Sequence, residues 1–476
     1  MQAHISRRAI ALVGGLVLLA PMAMITAAEA ATPRCMGRRA TIVGTRGSDR
    51  IRGTARADVI VAKGGNDEIE GRGGNDRICA GKGRDQVTGG GGNDRIKGGA
   101  GADLIAGQAG DDRLFGQRGS DALFGGGGSD DLVVGPGNFQ FMAPGAGDDQ
   151  VRGNPLIDFV SYFDAQAGVT VDLAAGTATG AGNDTLINID GAEGSPFDDT
   201  LTGTAGSNFL FGGAGNDTLT SGGNAGDLLS PNTVLEFRFD FLGGDAGDDT
   251  LTGGTGLNIV THDLATSAVT VDLQTGQASG DGTDTLSNIQ AAIGTQFADT
   301  LRGDINDNLL EGQGGADTID GRLGSDTFVI VGAVSGNIDL GAGTATTIYR
   351  PFDPATGQPG DPITADSTLT SIENVWGSEG NDVIRGDGSA NRLFGFLGSD
   401  QLFGLAGDDH LDGGPELDPS ETNTLDGGDG SDTCLNGTPT NCETTAQARS
   451  GARMPARAAS WFSAASRAMA LLGRLR

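Results

Sequence analysis

A nine-residue period governs this chain. Asp49, Asp58, Asp67, Asp76, Asp85, Asp94, Asp103, Asp112, Asp121 and Asp130 follow one another at that spacing without a gap. Two residues after each stands an aliphatic: Ile51, Ile60, Ile69, Ile78, Val87, Ile96, Ile105, Leu114, Leu123 and Leu132. Glycines gather before each Asp, as in Gly89-Gly90-Gly91-Gly92-Asn93-Asp94-Arg95-Ile96-Lys97, so the unit reads GGxGxDxUx with U a large aliphatic. Glycine admits positive φ and lets carbonyls turn toward one point. The Asp carboxylate is a hard oxygen ligand of the kind calcium gathers, about six to eight at a time and many of them carbonyls. The last three residues suit a short strand whose middle aliphatic points inward. Two nonapeptides then close one coil with two turns and two strands, and coils stack at about 4.8 Å. The ten repeats of 44–133 predict five coils of a solenoid.

A disordered Gly/Asp tract would share this composition, but the strictly phased aliphatic argues for order. Some repeats depart from the pattern. Arg56 and Ala57 replace the fourth-position Gly and its neighbour, and Arg84 sits beside Asp85. The first two repeats are therefore expected to serve as a cap more than as ligands.

The nonapeptides resemble the hemolysin-type, repeats-in-toxin calcium-binding family, whose signature is GGxGxDxUx. That resemblance implies an all-β fold, a parallel β-roll or β-solenoid, with Ca2+ held between stacked turns by sixth-position Asp and by carbonyls of the glycine-rich turns. Beyond residue 150 the period breaks and returns inside a larger unit. Residues 158–220 and 258–320 align without a gap, Val169-Thr170-Val171-Asp172-Leu173 meeting Val269-Thr270-Val271-Asp272-Leu273, and a diverged third copy spans Ile372 to Asp400. Each unit opens with an alternating strand and re-enters the nonapeptide phase, which reads as further coils with longer loops. Segments 222–243 and 344–366 are the expected excursions, the second marked by Pro351, Pro354, Pro359 and Pro362.

The later sixth-position acids are Asp149, Asp199, Asp217, Asp249, Asp299, Asp317, Asp326, Asp382, Asp400, Asp409 and Asp432. With the ten of the first run they form the expected metal-ligand set. Asn208, Asn258, Asn308 and Asn391 hold the same position, keep an oxygen but lose the charge, and are expected to bind calcium weakly or not at all. No catalytic residue emerges. There is no HExxH or GxSxG, and acidic pairs such as Asp111-Asp112 are fifth and sixth turn positions.

The precursor carries a formal charge of −31; without the two Arg and one Glu of residues 1–30 and the six Arg of 444–476, segment 31–443 stands at −38. That argues against nucleic acid and for cations as partners. One aliphatic per nine ordered residues buries too little to offset chain entropy, and stacked carboxylates repel. The chain is therefore expected to be expanded without calcium and to fold at about 10⁻⁴–10⁻³ M, the range of extracellular modules.

Arg7 and Arg8, an apolar run from Ile10 to Ile25 and Ala28-Glu29-Ala30 read as a signal peptide, the run being short for a membrane span. A secreted, extracellular protein follows as the expectation, with the general and twin-arginine routes both open. Four Cys in an exported chain favour disulfides. Three pairings exist; Cys35 with Cys79 and Cys434 with Cys442 would staple each end, Cys434 standing where an inward aliphatic belongs. Trp461, Ala465, Ala468, Leu472 and Leu475 fall near helical spacing in a basic tail, either a short amphipathic helix able to rest on a membrane or a frayed end. The divisions are 1–30 for the signal peptide, 31–135 for the N-terminal roll, 136–257 and 258–343 for two long modules, 344–443 for a third closed by Cys, and 444–476 for the tail. An adhesin or matrix component at a cell surface fits the same features. A toxin or an enzyme with a calcium-binding tail fits them less well, since no non-repeat stretch could house a catalytic domain.

Overall fold

The computed structural model describes residues 32–446 apart from 138, 156, 223–238, 351, 354–357 and 416–421. The expected signal peptide, most of the tail with its helix, and most of the first excursion lie outside the described residues.

Two parallel ladders face each other across one apolar seam. In the first sheet Ile51, Ile69, Val87, Ile105, Leu123, Met142 and Val160 follow one another in register. In the second the row is Ile60, Ile78, Ile96, Leu114, Leu132 and Val151. Successive strands of the chain alternate between sheets, so partners within a sheet lie 18 residues apart, two nonapeptides per coil, as the period requires. Nearly every one of these aliphatics is fully buried. The parallel β-solenoid expected from the repeats is the fold of the chain, and the ladders extend as far as Thr438–Thr440 and Thr444–Ala446.

The long modules do something the sequence did not suggest. Each opens with the expected alternating strand, but two further antiparallel strands follow it, so that three enter the second sheet in place of one. Thr170–Asp172, Thr177–Thr179 and Asn183–Ile187 form the first such meander; its last strand sits on Gln150–Arg152 and its first beneath Thr200–Thr202. Thr270–Asp272, Gln277–Ser279 and Thr283–Ser287 repeat the device one module later. Ser335–Asp339, Thr344–Tyr349 and Ile363–Thr370 form the third, so the predicted excursion at 344–366 is largely sheet. The end of the other excursion is likewise a strand, Phe239–Ala246, paired with Asn208–Ala214. Thr444–Ala446, assigned to the tail from sequence, closes the first sheet on Thr433–Leu435.

A second apolar layer covers the outside of the first sheet. Phe124, Phe141, Phe159 and Phe211 succeed one another with ring centroids 5.6, 6.3 and 5.9 Å apart, and Phe209 stacks on Phe241 at 5.6 Å. Cys35 pairs with Cys79 and Cys434 with Cys442, at Cα separations of 5.7 and 6.0 Å. The first closes a span of 44 residues and ties the entering strand to the roll. Each constrains the unfolded chain more than it strengthens the folded one.

In the second module part of the duplicated aromatic layer is polar: Glu311 stands where the first has Phe211, and Asp263 where it has Phe163, while Ile259 and Leu309 replace Phe159 and Phe209. Glu311 is buried, and burial, with the Asp263 charge beside it, pushes its carboxyl up to about 8. The folded state thus holds a proton that the unfolded chain releases near its ordinary pKa of 4.5. The stability this confers is complete below that value and is lost as pH rises through about 8. Glu311→Gln, which keeps the shape without the charge, is expected to raise the melting temperature at pH 9 and leave it nearly unchanged at pH 5. Melting curves of both proteins across that range in constant calcium check this; parallel curves would contradict it.

Candidate metal centre

Each turn delivers one Asp to an edge of the solenoid, and successive coils bring these residues into two rows. Along one edge the backbone N–H of Asp49, Asp67, Asp85 and Asp103 donates to Oδ1 of the next Asp in the row, at 2.8, 2.8, 2.9 and 3.0 Å. Along the other, Asp58, Asp76, Asp94, Asp112 and Asp130 donate to the Asp above, ending on Asp149, each at 2.7 Å. One carboxylate oxygen therefore ties every coil to its neighbour.

The other oxygen is the candidate ligand. Oδ2 of Asp67, Asp76, Asp85, Asp94, Asp103, Asp112, Asp121, Asp130, Asp149, Asp217, Asp249, Asp326, Asp409 and Asp432 is buried and meets no hydrogen-bond donor. A bare, buried anionic oxygen is costly unless a cation answers it. The electrostatics carry the same strain. Burial and neighbouring Asp charges push Asp94, Asp103, Asp130, Asp149 and Asp249 up to about 7, and Asp217 to about 8.

Not every turn is built this way, and the second position of the nonapeptide sorts them. In the open turns that residue has positive φ, as in Gly90 at 116° and even Arg72 at 81° and Gln117 at 81°. Its N–H then points away from the carboxylate. In the remaining turns the second residue is Thr, Ser, Asp, Asn or Gly without positive φ, and it caps the sixth side chain, as Asn154 N does on Asp158 Oδ2. Thr45 N and Thr54 N donate to Oδ2 of Asp49 and Asp58 at 2.6 and 2.7 Å, with the hydroxyls adding bonds at 3.1 and 2.9 Å. Ser195, Thr295 and Ser378 close Asp199, Asp299 and Asp382 in the same manner. Asp317 has an open second position, Gln313 at 61°, but its Oδ2 accepts from Ser367 Oγ at 3.2 Å. Asp400 belongs to the open class by its second residue, Phe396, at 80°.

Two of the Asn turns carry their own substitute for a cation, while Asn308 and Asn391 direct Nδ2 to the carbonyls of Gln290 and Glu373. Asn208 Nδ2 donates to the carbonyls of Thr204 and Gly206, each at 3.0 Å, and Asn258 Nδ2 to those of Gly254 and Gly256, each at 3.2 Å. The amide hydrogens occupy the convergent carbonyls that an Asp leaves to an ion.

Residues outside the nine-residue phase complete the rows. Gln140 accepts from Asp121 N, Asp184 from Asp149 N, and Asp284 from Asp249 N. Asp184 gives its second oxygen to Tyr162 Oη at 2.8 Å. His262 stands in that tyrosine's place in the second module, buried, its Nε2 without a partner and burial lowering its pKa to about 4. Insertions shift these residues out of phase, so a strict count of nine passes over them.

Among the described residues no three His, Cys, Asp or Glu side chains converge. Each Asp turn brings one carboxylate, and the other protein donors at hand are backbone carbonyls. Such an all-oxygen set suits Ca2+ and not a soft metal. The RTX calcium-binding nonapeptide repeat family matches residues 43–78, 52–87, 80–114, 88–123 and 106–138 of the N-terminal roll, and 193–228, 239–263, 293–328 and 370–401 beyond it. The chain is an RTX calcium-binding repeat protein. No curated protein matches it closely enough to count as a relative. The RTX matches cover capped and open turns alike, so the distinction between them belongs to the structure.

Glycine at the first position of most of these units keeps clear of the carboxylate, although Pro144 holds that position before Asp149. A Cβ on Gly89 would lie 2.3 Å from Asp94 Oδ2, whereas one on Gly91 would have its nearest contact at 4.0 Å. Gly89→Ala should therefore cost roughly 2 kcal/mol or more and weaken the calcium response, and Gly91→Ala should stay within about 0.5 kcal/mol. Denaturant melts of the two variants in calcium compare them directly; equal stability would contradict this account of the turn.

Proposed function

We propose that this protein is a secreted calcium-binding solenoid whose open turns take Ca2+ and whose fold is completed by it. The observation that carries this is the run of bare, buried Oδ2 atoms from Asp67 to Asp149. Calcium would bind between successive open turns, through these oxygens and the turn carbonyls, and remove the repulsion within each row. Capped and Asn turns, including Asp49, Asp58, Asp199, Asp299 and Asp382 of the ligand set read from sequence, hold their shape without an ion. The expectation that the first two repeats act as a cap agrees with Thr45 and Thr54. The two disulfides support an oxidising location outside the cell. The role is structural, since each sixth-position carboxylate is committed to a backbone N–H.

Circular dichroism of the whole chain during a calcium titration should show a cooperative gain of β signal that chelator reverses and magnesium does not reproduce. An unchanged spectrum would refute the proposal.

Bound calcium, measured by equilibrium dialysis, should fall in the double variant Asp94→Asn, Asp112→Asn and remain at the native level in Asp49→Asn. An equal fall in both would show that capping does not decide which turns bind.

A further inference from the structure

Basic residues are concentrated in one part of this acidic chain. Residues 32–135 hold 16 Lys and Arg against 14 Asp and Glu, whereas 136–443 hold 7 against 47. Arg77, Arg95 and Arg113 stand in register on three consecutive strands of the second sheet. They border a groove of about 700 Å³ whose other side is formed by Asn75, Asn93 and Asp111. The buried row Asp76, Asp94 and Asp112 lies between the two.

The guanidiniums are not used by the fold. Arg95 and Arg113 make no side-chain hydrogen bond or ion pair among the described residues, and Arg77 makes one long contact, 3.4 Å to the carbonyl of Met36. The next residue in the row is Asp131, in register with Arg113 but held by Arg152 at 2.6 Å. The row of free cations therefore ends there.

We propose that this groove is a calcium-dependent docking site for a linear acidic polysaccharide. The inference rests on the calcium reading above. Strands in a ladder step by about 4.8 Å. An acidic sugar polymer carries its anions one per ring, and a pyranose ring is about as long as that step. Across the groove Asn93 Nδ2 donates to Asp111 Oδ2 at 3.2 Å, whereas Asn75 Nδ2 donates to no group among the described residues and suits a sugar hydroxyl. No aromatic face lines the groove, which disfavours the base stacking that single-stranded nucleic acid uses. Without calcium, the Asp row beside the arginines cancels their field. Each bound ion adds two positive charges next to them, so the roll passes from near neutrality to a cationic surface. By reciprocity, the polymer must tighten calcium binding by the same factor.

The test uses the full chain and a fluorescent oligogalacturonate, with a neutral dextran oligomer and oligothymidylate as alternatives, in millimolar calcium and in chelator. Dichroism is recorded on every sample. The acidic sugar should bind in calcium, with affinity at least tenfold weaker in chelator and in the double variant Arg95→Ala, Arg113→Ala, whose calcium-induced dichroism should remain native. Arg50→Ala with Arg52→Ala, on the other sheet and paired with Glu68 and Glu70, should bind as the native chain does. The proposal is overturned by native affinity in the groove variant, by equal loss in the control variant, by tighter binding of oligothymidylate, or by equal binding of the neutral sugar. Failure of the calcium reading shows separately, as an absent dichroism change in the native chain.

Discussion

Everything in this solenoid turns on the second oxygen of a buried aspartate. The first oxygen has a fixed task, accepting the N–H of the turn one coil earlier, and so sets the stacking of the whole edge. That task buries the carboxylate and lines it up with its neighbours, which raises the energy of the charged form. The fold cannot relax this by swinging the side chain outward without losing the bond that registers the coils. A cation between turns would keep the bond and remove the penalty.

The chain contains three answers to the same problem. An open turn leaves Oδ2 for an ion and holds its second residue at positive φ, a conformation that costs about 1 kcal/mol for residues such as Arg72 or Gln117. A capped turn spends the N–H and hydroxyl of Thr45, Thr54 or Ser378 on the carboxylate instead. An Asn turn such as that of Asn208 replaces the cation with its own amide hydrogens. The open turns dominate the N-terminal roll from Asp67 onward, while capped and Asn turns recur through the modules. Calcium should therefore govern the roll most strongly, and the modules should keep part of their order from internal bonds.

Much of this was legible because the period of nine has a direct meaning in three dimensions. A spacing of two repeats is one coil, so Asp76, Asp94 and Asp112 had to stack if the aliphatics at Ile78, Ile96 and Leu114 were to share one row. The distinction between open and capped turns was also written in the sequence, in the Thr or Ser four residues before Asp49, Asp58, Asp199, Asp299 and Asp382. The N–H of that Thr or Ser reaches the carboxylate only because φ is not positive there. Other features were not accessible to a periodic reading. Gln140, Asp184 and Asp284 lie out of phase and enter the rows only because inserted strands shift the chain. The meanders were legible only in part, because alternation such as Val169, Val171 and Leu173 marks a strand without saying which sheet it joins or that two antiparallel strands follow it. The outer layer of Phe141, Phe159 and Phe211 was masked by a low overall aromatic content that is concentrated on one face.

The distribution of charge gives the two parts of the solenoid different responses to the same ion. In the modules, acids outnumber bases so heavily that bound calcium moves the surface toward neutrality and relieves repulsion along its length. In the roll, where the signs nearly balance beforehand, the same ions leave an excess of positive charge beside Arg77, Arg95 and Arg113. Filling the turns therefore polarises the molecule from one end to the other. A solenoid is suited to this, because each coil touches only its neighbours and the ends cannot average their charges through a common core. An ion that filled the open turns would thus also create a surface that the ion-free chain lacks, and the position of the arginines would decide where that surface lies.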